Sequence, residues 1–176
     1  MNADIMLLSN TLIYGGRLKC GSEEVAERSL HIPHKKLAHD ERECEAAANF
    51  STCWLERLLH ESSKAVFVNT DSIPASESRE GNLPQNITEA CLIAQFVRSL
   101  VRGGISQSEI GVISPYRQQI KALSRMLAEG GLCGDVEVLT ADRSQGRDKE
   151  VVIVSMVRSN EGGYVSHTIP FLGFLI

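Results

Sequence analysis

Two apolar, β-branched runs, VEVLT (136–140) and VVIVSMV (151–157), enclose a polar stretch, ADRSQGRDKE (141–150). Val, Ile and Thr suit a pleated, buried surface, so strands are expected over 136–140 and 150–157. The same grammar extends upstream. AVFVNT places a strand over 66–70, and IGVIS places another over 110–114, stopped by Pro115. Between them a helix is expected from about 88 to 102, with Leu92, Ile93, Phe96 and Leu100 on one face. Asn86 or Thr88 is placed to cap it, and Glu89 suits its positive N-terminal end. A second helix is expected from Tyr116 or Arg117 to Glu129, with Ile120, Leu123, Met126 and Leu127 on one side. Gly103-Gly104 and Gly130-Gly131 close the two helices. From residue 66 the order is therefore strand, helix, strand, helix, strand, loop, strand. That order specifies an α/β fold: a mainly parallel sheet covered by helices on both faces.

The rest of the chain is less periodic. Residues 2–13 read as a helix, capped by Asn2, with Ile5, Leu8 and Leu12 at helical spacing and a stop at Tyr14-Gly15-Gly16. Residues 17–63 carry no steady period, although Trp54, Leu55, Leu58 and Leu59 suit one short amphipathic turn docked on a core. Residues 71–85 are a loop by composition. The chain divides into an N-terminal helix and irregular segment (1–65), a lobe (66–160) and an apolar tail (161–176).

With 176 residues, the chain can bury a core. A net charge of -4 excludes a broadly basic nucleic-acid-binding domain but leaves room for a local basic strip. Cys20, Cys44, Cys53, Cys91 and Cys133 have irregular spacings and form no C-x-x-C, so free thiols are expected rather than a disulfide framework or metal site. His31, His34 and His39 lack a Cys or carboxylate partner at ligand spacing and read as solvated. No apolar run reaches the ~20 residues that span a bilayer, and Met1 to Ser9 lacks the pattern of a secretory signal. No membrane partner is expected.

In parallel sheets ligands bind beyond the carboxyl ends of the strands. Two polar segments leave those ends and are expected at one edge: SPYRQQ after 110–114 and ADRSQGRDK after 136–140. The first carries Ser114, Tyr116 and Arg117 at a helix start, where free N–H groups and the dipole favour an anion. Arg117 suits a phosphate and Tyr116 a stacked base. In the second, Ser144 and Gln145 suit a phosphodiester, Asp148 a ribose hydroxyl or a metal-bound water, and Gly146 a close approach by a phosphate or another backbone. The alternatives are an ordinary solvated helix start and a charged surface loop. Neither segment contains a nucleophile–base pair, so a stand-alone hydrolase is poorly supported.

GVISPYRQQ followed by VEVLTADRSQGRDKEVVIVSMVRSN resembles the second RecA-like domain of superfamily 1 helicases that move 5′ to 3′. Within them the likeness is to the eukaryotic DNA-replication ATP-dependent helicase/nuclease family. MNADIMLLSN, LIYGGRLKCGSEEVA, VFVNTD and NITEACLI extend it over about residues 1–160. The resemblance implies a RecA-like lobe of a two-lobed motor, with ATP between lobes and single-stranded DNA across both. It implies that Asp142, Ser144 and Gln145 lie toward nucleic acid, and that Gly146 and Asp148 face the nucleotide. Ser114, Tyr116 and Arg117 match a strand-end segment on the nucleic-acid side. Arg158 to Asn160 match the segment after the coupling strand. The implied partners are single-stranded DNA, a first RecA-like lobe and a nuclease domain, and the implied compartment is the nucleus, with the mitochondrion second. A related RNA helicase lobe and a non-catalytic binding module are the alternative readings.

Departures from the family pattern qualify this. The family's Gln-Tyr-Arg segment, whose Tyr packs on adenine and whose Arg reaches the γ-phosphate, would precede Met1. After VRSN the chain reads EGGYVSHTIPFLGFLI, where the family has a second γ-phosphate arginine. No GxxxxGK[ST] phosphate loop occurs. ATP and Mg²⁺ are thus expected in a full-length parent, and an iron–sulfur cluster only in its nuclease domain; the chain alone is expected to hold none of them and to hydrolyse no ATP. A truncated product or gene-model fragment is the expectation, with an apolar tail that either packs on an incomplete sheet or forms an exposed patch.

Overall fold

The computed structural model describes residues 2–38, 53–62, 64–70, 73, 75–81, 83–132 and 134–158, and the backbone of 171–175. Its helices are α1 (Ala3–Leu12), α2 (Glu23–Glu27), α3 (Lys35–Ala38), α4 (Trp54–Leu58), α5 (Ile87–Arg102), α6 (Arg117–Glu129) and α7 (Ala141–Ser144). Its strands are β1 (Ala65–Asn69), β2 (Ser78–Glu80), β3 (Leu83–Gln85), β4 (Ile110–Ile113), β5 (Glu137–Leu139), β6 (Val151–Ser155) and β7 (Phe171–Leu175). Five strands form one sheet in the order β1-β7-β6-β4-β5, and β2 and β3 form a separate hairpin.

The α/β class follows the alternation seen in sequence. β4 runs parallel to β5, with Gly111 opposite Glu137, and parallel to β6, with Ile110 opposite Val151. The antiparallel strand is β7, which pairs with β6 on one side and β1 on the other. The apolar tail therefore supplies sheet backbone through 171–175; residues 159–170, including Ser159 and Asn160, lie outside the described residues.

Two connections move along the sheet in one direction, β1 to β4 through α5 and β4 to β5 through α6. Right-handed crossovers in one direction put their helices on the same face, and α5 and α6 pack on each other there. That face carries the core. Phe96, Ile93, Val97 and Leu100 of α5, Leu123 of α6, Ile110 and Val112 of β4, and Val151 and Ile153 of β6 are all fully buried. Leu55, Leu58 and Leu59 join the same core, as do Ile32 and Ala38. The described parts of the irregular N-terminal segment thus contribute side chains to the lobe's core. Its 32–34 stretch is tied to the end of α5 by the His34 N–H, which donates to the Gly103 carbonyl at 2.9 Å.

The connection from β5 back to β6 runs the opposite way, so the same handedness sends residues 140–150 across the other face. Gly111 marks the crossing: a Cβ there would lie 3.1 Å from Lys149 Cγ. Beside the crossing, near Val152, sits the α1–α2 segment. Asn2 caps α1 by accepting from the Asp4 N–H at 2.8 Å and donates to the carbonyls of Ala26 and Arg28 at 2.9 and 2.7 Å. α1 itself buries none of its residues, and Leu8 and Leu12 remain 66% and 73% exposed.

The hairpin, α2, α3 and α7 fall where loop or irregular chain was expected. They are three to five residues long, too short for a periodic signal. Cys20 and Cys91 form no disulfide, whereas Cys53 is disulfide-bonded, contrary to the expectation from spacing. Cys44, Cys133 and His39 lie outside the described residues. Among the described residues no three His, Cys, Asp or Glu side chains gather as a metal site, and no helix is long and apolar enough to cross a membrane.

Candidate functional site

At the carboxyl end of β4 the chain turns through Ser114 and Pro115 into α6. Ser114 is fully buried, and its hydroxyl accepts from the Tyr116 N–H at 3.3 Å. It shapes the turn and has no surface to offer a ligand. Tyr116 is half-buried at the start of α6, and Arg117 is exposed. Gln118 and Gln119, which a solvated helix start would expose, are both buried. Gln119 is fully engaged: it accepts from the Asn86 N–H at 2.8 Å and donates to the Asn86 carbonyl and to Ser155 Oγ, each at 3.0 Å.

The polar loop begins at the same edge and does not stay there. Asp142 and Gln145 are exposed, and Ser144 is half-buried with its hydroxyl donating to the Ala141 carbonyl at 2.8 Å. Gly146 has φ +76 with open space where a Cβ would be. The glycine answers a left-handed turn there, and no packed backbone requires it. Beyond it the loop descends to the opposite edge. Arg147 Nη1 donates to Glu137 Oε1 at 2.9 Å, and Lys149 Nζ lies 3.3 Å from the same oxygen. Lys149 Nζ also donates to the Ser108 carbonyl at 2.5 Å. Glu137 thus fastens Arg147 and Lys149 of the loop to β5, across the strand that the loop traverses. At the lower end Arg28 pairs with Glu150 at 2.5 Å.

Asp148 stays exposed at the rim of a cleft of about 650 Å³, lined by Asn2, Arg28, Arg147, Lys149, Glu150 and Val152 among others. The predicted residues therefore separate. Tyr116, Arg117, Asp142, Ser144 and Gln145 belong to the carboxyl edge, and Asp148 sits by the cleft at the amino ends of β4 and β6. The cleft offers Asp148 as an acceptor for a sugar hydroxyl. It does not fit a Mg²⁺-bound triphosphate, because Arg28, Arg147 and Lys149 are already paired with Glu150 and Glu137.

A second constellation at the carboxyl edge combines residues that sequence reading did not connect. Glu89, in the first turn of α5, is 4% exposed. Its Oε2 accepts from Ser155 Oγ at 3.1 Å and from the Val157 N–H at 2.8 Å, while Oε1 accepts from the Met156 N–H at 3.2 Å. Burial pushes its carboxyl pKa up to about 7, against the lowering pull of those hydrogen bonds. Val157 follows with φ +70, a strained conformation for a β-branched residue. Arg158 then donates through Nε to Glu77 Oε2 at 2.8 Å. Hydrogen bonds to Tyr116 and Glu77 raise the guanidinium pKa further. Arg158 Nη2 is buried without a hydrogen-bond partner. The sequence signal was present but local: Asn86 and Glu89 have capping-box spacing. Asn86 does cap, accepting from the Glu89 N–H at 2.9 Å, but Glu89 reaches β6 instead of returning to Asn86.

Comparison with known proteins agrees with this architecture. Residues 1–175 match the model of the AAA domain family. The chain is 45% identical over 163 residues to the mouse DNA replication ATP-dependent helicase/nuclease DNA2, covering 93% of this chain and 15% of that protein. To the human protein of the same name it is 44% identical over 166 residues, covering 94% of this chain and 15% of the relative. To dna2 of Schizosaccharomyces pombe it is 39% identical over 165 residues, covering 94% and 11% respectively. The chain thus spans between 11 and 15% of the length of these relatives. Matched almost end to end, it belongs to the AAA domain family, and its similarity lies with the DNA2 helicase/nucleases.

Proposed function

We propose that this chain is the second RecA-like lobe of an ATP-dependent 5′-to-3′ DNA helicase/nuclease acting in replication and repair in the nucleus. In that reading the carboxyl edge of the sheet, with Tyr116, Arg117, Asp142, Ser144 and Gln145, meets single-stranded DNA. Gly146 and Asp148 lie toward ATP held with a first lobe, and a nuclease domain belongs to the same parent. The observation that carries the reading is the single loop 140–150. It starts at one edge of the sheet, ends beside a cleft at the other, and is fastened midway by Glu137 to Arg147 and Lys149. Such a segment is suited to linking a DNA strand at its carboxyl-edge end to the sugar of a nucleotide, met by Asp148, at the other, with the triphosphate itself held by the first lobe.

The lobe contributes positioning and charge, not the phosphate cradle that phosphoryl transfer requires. Arg117 supplies an exposed cation to a phosphodiester, and Tyr116 an aromatic face to a base. The test is fluorescence anisotropy of the chain with a labelled oligodeoxythymidylate and the matching oligouridylate over a salt series. Saturable DNA binding that weakens with salt, and weakens further in Arg117→Ala, supports the assignment. Equal or tighter RNA binding favours an RNA helicase lobe, and no binding to either removes the nucleic-acid role from this edge.

A further inference from the structure

Arg158 follows β6 at the edge assigned above to DNA, and its position depends on an unusual piece of main chain. Val157, a β-branched residue at φ +70, occupies a strained backbone region that persists only when neighbours over-determine it. The neighbours are identifiable. The Val157 N–H donates to Glu89 Oε2, and its carbonyl accepts from Asn86 Nδ2 at 3.4 Å. The preceding N–H, of Met156, donates to Glu89 Oε1, so one carboxylate bridges two successive amides. Ser155 Oγ completes its shell, and Gln119 holds that hydroxyl from α6. Asn86 is held in turn by Gln119 and by the Ala75 carbonyl, which accepts from Asn86 Nδ2 at 2.7 Å. Glu89, Ser155, Gln119, Asn86 and Val157 are buried, and Met156 is half-buried.

We propose that Glu89 is a positioning residue for the nucleic-acid edge: by holding the amides of Met156 and Val157 it imposes the left-handed turn that sets Arg158 against Tyr116. This rests on the reading of that edge as the DNA contact. Arg158 is then delivered with Nε committed to Glu77, and Nη2, buried and without a protein partner in the free chain, is left as the donor that a phosphate oxygen would satisfy. Glutamine cannot replace Glu89 in this role. Whichever way its amide is turned, the NH₂ faces either the Met156 or the Val157 N–H, and one bond is lost.

The carboxylate acts in its ionised form, since its two oxygens accept three donors at once. The groups facing it are the neutral Ser155 of β6, Gln119 of α6 and Asn86 at its own cap. The charged pair Glu77–Arg158 lies beyond Val157. With a carboxyl pKa of about 7, the hold should weaken as pH falls through neutrality.

The experiment follows the ¹H–¹⁵N resonances of the full 176-residue chain from pH 5.5 to 8.5. The Met156 and Val157 amides and the Arg158 Nε–H are expected to shift together with one midpoint near 7, and the midpoint should vanish in Glu89→Gln. Failure of Arg158 Nε–H to follow Val157 overturns the proposal, and the wild-type titration decides this even if the variant does not fold. Affinity for oligodeoxythymidylate supplies the second arm. Glu89→Gln and Arg158→Ala should each lose on the order of tenfold, the worth of one charge-assisted hydrogen bond. The double variant should lose no more than either alone; additive losses overturn the coupling. Absence of DNA binding by the wild-type chain counts against the proposed function, and the titration alone then decides the role of Glu89.

Discussion

Glu89 makes the stability of this fold depend on pH in an unusual direction. Its carboxyl, 4% exposed, has a pKa raised from 4.5 to about 7 by burial. A raised acid pKa means the folded state binds the proton more tightly than the unfolded chain. The resulting stabilisation is fully present below pH 4.5 and is lost as pH rises through about 7. The whole shift corresponds to about 3 kcal/mol, of which about 2.5 kcal/mol falls between pH 8 and pH 5. Urea denaturation of the wild-type chain and of Glu89→Gln at half-unit steps over that range isolates the contribution, because other titrating groups cancel in the difference. Wild type should gain about 2.5 kcal/mol relative to the variant on going from pH 8 to pH 5. A difference that is flat, or that grows with rising pH, would refute the assignment of a buried, desolvated carboxylate. The ionised form holds the turn at Val157 yet carries this desolvation cost, so conformational precision and global stability pull in opposite directions at one side chain.

Other perturbations separate the remaining parts of the fold. Phe96→Ala removes a fully buried ring from the α5–sheet core and should cost about 3–5 kcal/mol in chemical denaturation, enough to unfold a marginal domain. Glu137→Ala frees Arg147 while Lys149 keeps its bond to the Ser108 carbonyl, so limited trypsin digestion should cut after Arg147 faster than in wild type while cleavage elsewhere is unchanged. Arg117→Ala should lower the slope of log affinity against log salt for single-stranded DNA by on the order of one unit, without changing the melting temperature. ATP hydrolysis by the purified chain should remain at the buffer blank with and without single-stranded DNA, since the sequence contains no phosphate-loop motif.

Much of the layered core was legible because its signals are local. β4 ends where Pro115 requires, and α5 runs from the Asn86 cap to Gly103 with Ile93, Phe96 and Leu100 of the expected apolar face buried and Leu92 half-buried. Leu55, Leu58 and Leu59 dock as their spacing implies. The candidate site was less legible. Ser114 has the right chemistry in the right loop, yet it turns inward to the Tyr116 N–H. Gly146 serves backbone conformation. Glu89 looked like an ordinary acidic residue in a helix's first turn, and nothing in its neighbourhood along the chain reveals that it meets residues 155–157. The Ile5, Leu8, Leu12 spacing did produce a helix, but spacing cannot say whether a face finds a partner, and here that face is not buried.

By itself the sequence determined which segments become strands and helices, where each long element stops, and hence the α/β class. Periodicity, caps, Pro and Gly act within a few residues, so a linear reading contains them. Tertiary structure decided what depends on contacts between distant segments. It placed β7 antiparallel between β1 and β6, and it drew the loop 140–150 across the second face to bring Lys149 onto Gly111. It also carried the Glu89 carboxylate to β6, where burial and two main-chain amides give it a proton affinity that no neighbour in sequence could.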